Sequence, residues 1–143
     1  MNRIANLGPP PLKATIIYVN RRRVPPRTRM HSLRDALRGL RDAWGNQPNL
    51  RLQAYAALGV ITVGLWLRLL LLEWLWISFA IGLVIFAELM NTAIEQTVDL
   101  AVGLAPDPLA RQVKDIAAGC VLVAILLASV IGTLTFLPHL LKG

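Results

Sequence analysis

The sequence predicts an all-α membrane protein, with three transmembrane helices preceded by an interfacial amphipathic helix. Three observations point there. The chain is 55% hydrophobic over 143 residues, and its apolar residues cluster into long runs, a membrane-protein composition. Its basicity is local: eleven of the fifteen Lys and Arg lie within residues 1–51, opposed there only by Asp35 and Asp42. Its apolar second helix carries acidic and amide side chains on one narrow stripe.

Residues 1–30 read as a disordered basic extension. They hold Pro9, Pro10, Pro11, Pro25, Pro26 and the run Arg21-Arg22-Arg23, and they lack apolar periodicity. The stretch Ala14–Val19 is too short for the apolar core of a signal peptide. A cationic tail beside membrane helices is suited to anionic lipid headgroups. No pattern of base-stacking aromatics supports a nucleic-acid partner.

An amphipathic helix is expected over about 31–46. Ser32 is a candidate N-cap. Leu33, Ala36, Leu37, Leu40 and Trp44 recur at helical spacing, and Arg34, Arg38, Arg41 and Asp42 fall off that face. Trp44 is suited to the headgroup level. Gly45-Asn46-Gln47-Pro48 breaks the helix.

Three apolar helices follow, over about 49–70, 73–98 and 109–137, the last stopping at Pro138. Leu70–Glu73 serves as a tight turn and Gly103–Pro108 as a loop. Arg68 can snorkel to an interface, where Trp74 and Trp76 also belong. Ala124, Ala128 and Gly132 form a small-residue stripe suited to close helix contact. Cys120 is alone, so no disulfide or zinc site forms within one chain. His31 and His139 are isolated and receive no role. The positive-inside rule places the basic N-terminus in the cytoplasm. Three crossings then put the Gly103–Asp115 region on the same side.

The stripe lies at the end of the second helix. At 100° per residue, Glu88, Asn91, Glu95 and Asp99 fall within roughly 80° of one another. Each carboxylate in a membrane helix costs roughly 2.5–3.5 kcal/mol on insertion scales, and anions near a helix C-terminus are further disfavoured. A cation, a proton or polar partners must compensate. A packed polar seam is one solution; a divalent cation bridging to phosphate is the other. One three-helix chain has too little protein to cover the stripe, so an oligomer is expected. Lys114 and Asp115 begin the third helix, and Arg51 and Gln53 begin the first. These are the parts of a phosphoryl-transfer site: carboxylates for magnesium, cations for phosphates and a base for an attacking hydroxyl. Neither GxxxxGK[ST] nor GxGxxG occurs, so neither common nucleotide cradle is used.

The motif Glu88-x-x-Asn91-Thr92-Ala93-x-Glu95-x-x-Val98-Asp99 resembles the signature of the small prokaryotic diacylglycerol kinase family, which includes undecaprenol kinases. Gly39-Leu40-Arg41, Trp44, Asn49-Leu50-Arg51 and Lys114-Asp115-x-Ala117-Ala118-Gly119 are similar too, so the resemblance covers about residues 31–141. It implies a membrane lipid-kinase domain over 31–143 that assembles as a homotrimer, with sites between subunits. It implies a multi-pass protein of the bacterial inner membrane, with the active site facing the cytoplasm. The implied reaction transfers the γ-phosphoryl of MgATP to a lipid hydroxyl, of diacylglycerol or undecaprenol. By position, Glu88 matches the general base, Glu95 a metal-bridging carboxylate that also meets ATP, and Asn91 a supporting residue. Lys114 and Asp115 match nucleotide contacts, and Asp99 is a motif acid of unassigned role. Arg51, Arg41 and Trp44 fall where the lipid substrate or its headgroup is met.

The chain departs from the pattern twice. Gln53 stands where the diacylglycerol-kinase branch has a second metal glutamate; its carbonyl can still coordinate, with less charge. Ala105-Pro106-Asp107-Pro108 replaces a Tyr-His pair that helps hold nucleotide. Two other readings remain open: a proton-coupled membrane transporter using intramembrane acids, and an inactive scaffold of the same fold.

Overall fold

The computed structural model describes residues 29–103 and 106–142, which form four helices and no strand. The chain divides after Leu37 into two compact units. In the first, the described residues 29–37 are helical. Helix α1 spans Arg29–Asn46, and its apolar residues Leu33, Leu37, Leu40 and Trp44 are exposed. Ser32 therefore lies inside the helix and is not its cap. The basic extension expected over 1–30 lies, except for Arg29 and Met30, outside the described residues.

In the second unit, Gln47 separates α1 from α2, Pro48–Trp66. Pro48 opens α2 where its missing N–H is no loss. The Arg51 guanidinium reaches back to the Trp44 and Gly45 carbonyls at 3.3 and 3.1 Å, covering acceptors that the end of α1 leaves open. Helix α2 ends four residues before the expected boundary. Leu67 donates to Val63 O, Leu69 donates to Gly64 O, and Arg68 takes a positive φ of 54°. This turn brings Leu69 and Trp74 over Gly64. A Cβ on Gly64 would lie 3.0 Å from Leu69 Cδ1 and 3.0 Å from Trp74 Cη2.

Helix α3, Leu71–Val102, starts two residues earlier than expected, because the Glu73 carboxylate accepts the Leu70 N–H at 2.7 Å. Gly103, at φ 65°, ends it by donating to Asp99 O. Helix α4, Pro108–Lys142, is capped by Asp107, whose Oδ1 accepts from Leu109 and Ala110. It does not stop at Pro138 but runs one further turn. That turn is tied to α3 by His139, whose Nε2 lies 2.9 Å from Glu73 Oε1. Proline removes one intrahelical bond there.

Helix α3 packs along most of α4 and touches α2 over a shorter seam. Helices α3 and α4 run antiparallel, with Asp99 paired to Lys114 at one end and Glu73 to His139 at the other. The buried apolar residues include Ile77 and Ala80 of α3 and Ala117, Val121 and Ala124 of α4. Of the expected small-residue stripe, Ala124 is packed, while Ala128 and Gly132 line an apolar cavity of about 750 Å³ between α2, α3 and α4.

Among the described residues, Leu71–Val102 and Pro108–Leu141 are long and apolar enough to cross a membrane. Only 28% and 17% of their most apolar windows are buried, so their hydrophobic surface faces outward. Phe79, Phe86, Leu122, Leu126, Val130 and Leu134 are all exposed. A soluble protein rarely leaves such continuous apolar area uncovered, whereas lipid covers it without cost. Helix α2, with 19 residues and Asn49, Arg51 and Gln53 in its first turns, does not reach the same length and apolarity.

Candidate active site

The polar stripe of α3 is turned into the bundle at Glu88 and Asn91 and opens outward toward Asp99. Glu88 is 3% exposed and Asn91 8%, and Thr92 is buried beside them. Burial of a carboxylate requires a partner, and α2 supplies one. Gln53 Nε2 donates to Glu88 Oε2 at 2.9 Å, across 35 residues of sequence. One turn further along α3, Asn91 Nδ2 donates to Glu95 Oε1 at 3.0 Å. Near the helix end, Lys114 of α4 forms an ion pair with Asp99. Three polar links therefore follow one another along a single face, as the 100° spacing predicts, and each acid has a neighbour.

The other expected residues sit less centrally. Asp115 is exposed and pairs at 3.8 Å with Arg111, one turn back on α4. It is not joined to the Asp99–Lys114 pair. Arg51 is engaged at the α1–α2 junction, and Trp44 stands edge-on to Tyr55 at 6.4 Å between ring centroids. Arg41 is exposed. Of the loop Ala105-Pro106-Asp107-Pro108, Ala105 lies outside the described residues, and Asp107 serves as the helix cap. Two partners were missed by sequence reasoning. His139 pairs with Glu73 across 66 positions, and Gln53 meets Glu88 through its amide nitrogen.

A divalent cation can be tested against these residues. Among the described residues, no three His, Cys, Asp or Glu side chains gather into a metal-holding group. Two buried amide oxygens, Gln53 Oε1 and Asn91 Oδ1, have no hydrogen-bond partner. Each belongs to a side chain whose nitrogen is bound to a carboxylate. The donor set is thus a few hard oxygens, carboxylate and amide. It fits Mg²⁺ carried on nucleotide phosphates, which takes one or two carboxylates and completes its octahedron with phosphate and water. It does not fit zinc, which selects Cys and His.

Comparison with known proteins identifies the family. A family model described as prokaryotic diacylglycerol kinase matches residues 34–136. The chain is 41% identical over 103 residues to an undecaprenol kinase of Bacillus subtilis, covering 72% of this chain and 83% of that protein. It is 38% identical over 111 residues to a diacylglycerol kinase of Synechocystis, covering 78% and 63% respectively. To a diacylglycerol kinase of Escherichia coli it is 29% identical over 102 residues, covering 71% and 83%.

Proposed function

Because the chain belongs to the prokaryotic diacylglycerol kinase family and is a lipid kinase, we propose that it transfers the γ-phosphoryl of MgATP to the primary hydroxyl of undecaprenol or diacylglycerol. The observation that carries this reading is Glu88: a carboxylate 3% exposed, held by Gln53, on the face that continues to Glu95 and Lys114.

In the proposed reaction the lipid hydroxyl oxygen attacks the γ-phosphorus. The bond from that phosphorus to the β-phosphate oxygen breaks, and ADP leaves. The hydroxyl proton passes to Glu88 Oε1, the oxygen that Gln53 leaves open. Glu95, steadied by Asn91, would hold the metal of MgATP, with Asn91 Oδ1 as a further oxygen donor. The bound cation supplies charge neutralisation at the phosphates. Lys114 meets the nucleotide phosphates, Asp115 lies on the same nucleotide side, and Asp99 orients Lys114. Arg51, Arg41 and Trp44 anchor lipid headgroups near the α1–α2 junction.

The membrane setting extends the same reading. Glu73 and Asp99 are 26 residues apart, about 39 Å along the helix axis. The hydrocarbon core of a bilayer is about 30 Å, and about 40–45 Å with headgroups. The two polar pairs that tie α3 to α4 therefore fall at opposite headgroup levels when the pair spans. We place the Asp99–Lys114 end and the N-terminus in the cytoplasm of a bacterial inner membrane, where ATP is, with residues 1–30 as a basic extension over anionic lipid. The lipid-kinase domain proper is 31–143, α2 is the first of three crossings, and a homotrimer covers what remains exposed of the stripe. The transporter and scaffold readings are not favoured by the kinase relatives.

Purified protein in detergent micelles, given labelled ATP, Mg²⁺ and either undecaprenol or diacylglycerol, tests the proposal. Label in one or both lipid phosphates is expected. Absence of label from both, with proton flux in vesicles lacking ATP, would replace the kinase reading by the transporter one.

A further inference from the structure

We propose that Gln53 is a positioning residue for the reaction, acting through its amide nitrogen on Glu88 and not through its oxygen on the metal. The inference rests on the assignment of Glu88 as the base. A carboxylate accepts and cannot donate, so the contact of 2.9 Å between Gln53 and Glu88 Oε2 fixes the amide orientation. The NH₂ end faces Glu88, and the carbonyl end is turned away, buried and without a partner.

Three consequences follow from that geometry. Glu88 Oε2 is occupied, so the carboxylate cannot rotate freely, and Oε1 is presented for a hydroxyl. The bond joins α2 to α3, where the seam between those helices is short, and it is the hydrogen bond that orients the buried carboxylate. The bond also requires no cation. A carboxylate at position 53 would face Glu88 at hydrogen-bond distance, and two like charges there would need a metal or a shared proton between them. The amide replaces that repulsion with a donated hydrogen bond. In this chain the base is aimed by protein alone, before nucleotide and metal arrive.

Gln53→Met keeps length and apolar volume and removes both the donor and the oxygen. Gln53→Glu keeps oxygens and removes the donor. The experiment measures kcat, the KM for lipid and for ATP, and the Mg²⁺ concentration giving half-maximal rate, for both variants and for Glu88→Gln. Thermal unfolding in detergent confirms that each variant is folded. Loss of a hydrogen bond to a charged group corresponds to about a 10- to 100-fold change. Gln53→Met is therefore expected to lower kcat by that factor, with both KM values and the Mg²⁺ requirement within about twofold of wild type. Gln53→Glu is expected to lose at least as much at saturating Mg²⁺. A Gln53→Glu protein with wild-type kcat and a lower Mg²⁺ requirement would show that the oxygen end ligates metal, and would overturn the inference. So would a Gln53→Met protein within twofold of wild type in kcat. Glu88→Gln separates the two levels. An active Glu88→Gln protein removes the base assignment itself, while an inactive one beside a fully active Gln53→Met protein removes only the role of Gln53.

Discussion

Lys114 at the start of α4 is ion-paired to Asp99 near the end of α3, so the two helices share one charged contact at the mouth of the polar stripe. Asp99 is 59% exposed in its side chain, and exposed pairs contribute about 0–1 kcal/mol to stability. The pair is therefore better suited to directing Lys114 than to holding the fold. Lys114→Met is expected to raise the KM for ATP about tenfold, the value of one charge-assisted contact, with lipid KM unchanged. Asp99→Asn should raise it less, with almost no change in unfolding temperature. Steady-state kinetics at fixed lipid and varied ATP check both. A Lys114→Met protein with wild-type ATP dependence would remove Lys114 from the nucleotide site.

Asn91 stands between the proposed base and the proposed metal carboxylate, and it donates to Glu95 one turn away. Partners of metal ligands commonly change metal affinity about 10- to 100-fold when removed. Asn91→Leu preserves volume and burial but frees Glu95. The expected outcome is a Mg²⁺ half-saturation raised about tenfold, with lipid KM unchanged and much of the rate recovered at high Mg²⁺. A loss of rate that Mg²⁺ does not restore would instead assign Asn91 to the chemistry at Glu88.

Among the described residues the order and number of helices are legible from apolar spacing, and so is the stripe, because both depend on the 100° step of a single helix. Ends are less legible, since they are set by local hydrogen bonds. Arg68 takes a positive φ that no pattern for arginine announces. Glu73 starts α3 without any Ser, Thr, Asp or Asn at the cap. The Asp107-Pro108 pair is a readable start for α4, and Pro138 an apparent stop that a tertiary contact overrides. Partners across the bundle are not legible at all. Gln53 with Glu88 and His139 with Glu73 are separated by 35 and 66 positions, and only the packing of three helices brings them together. Hence the acids were visible as a group, while what neutralises each one was not.

Gly64 lies where the α2–α3 turn folds Leu69 and Trp74 back over the helix, and an added Cβ would press on both side chains. Gly64→Ala places a methyl 3.0 Å from both, so either the indole or the turn must shift. Overpacking of this kind costs about 1–3 kcal/mol. Gly59, on the same helix, has nothing within 4 Å of an added Cβ, and alanine is the better helix former by about 1 kcal/mol. Thermal unfolding in detergent should therefore show Gly64→Ala clearly destabilised and Gly59→Ala unchanged or raised. Equal effects at the two positions would mean that the turn does not pack as described.

Glu73 and His139 close the end of the bundle opposite Lys114, the carboxylate also accepting the Leu70 N–H. Glu88 is fifteen residues from Glu73, about 22 Å along α3, so this contact bears on stability and not on turnover. Because Glu73 serves more than one partner, single substitutions mix several losses. A double-mutant cycle with Glu73→Gln and His139→Ala isolates the shared part. A coupling of about 0.5–1.5 kcal/mol is expected for a partly buried hydrogen bond, with kcat in all three variants within about twofold of wild type. Zero coupling would mean that the last turn of α4, beyond Pro138, is not held by this pair. A large loss of kcat in the folded variants would mean that the two ends of α3 communicate, and that the rigid antiparallel pairing of α3 and α4 is an incomplete account.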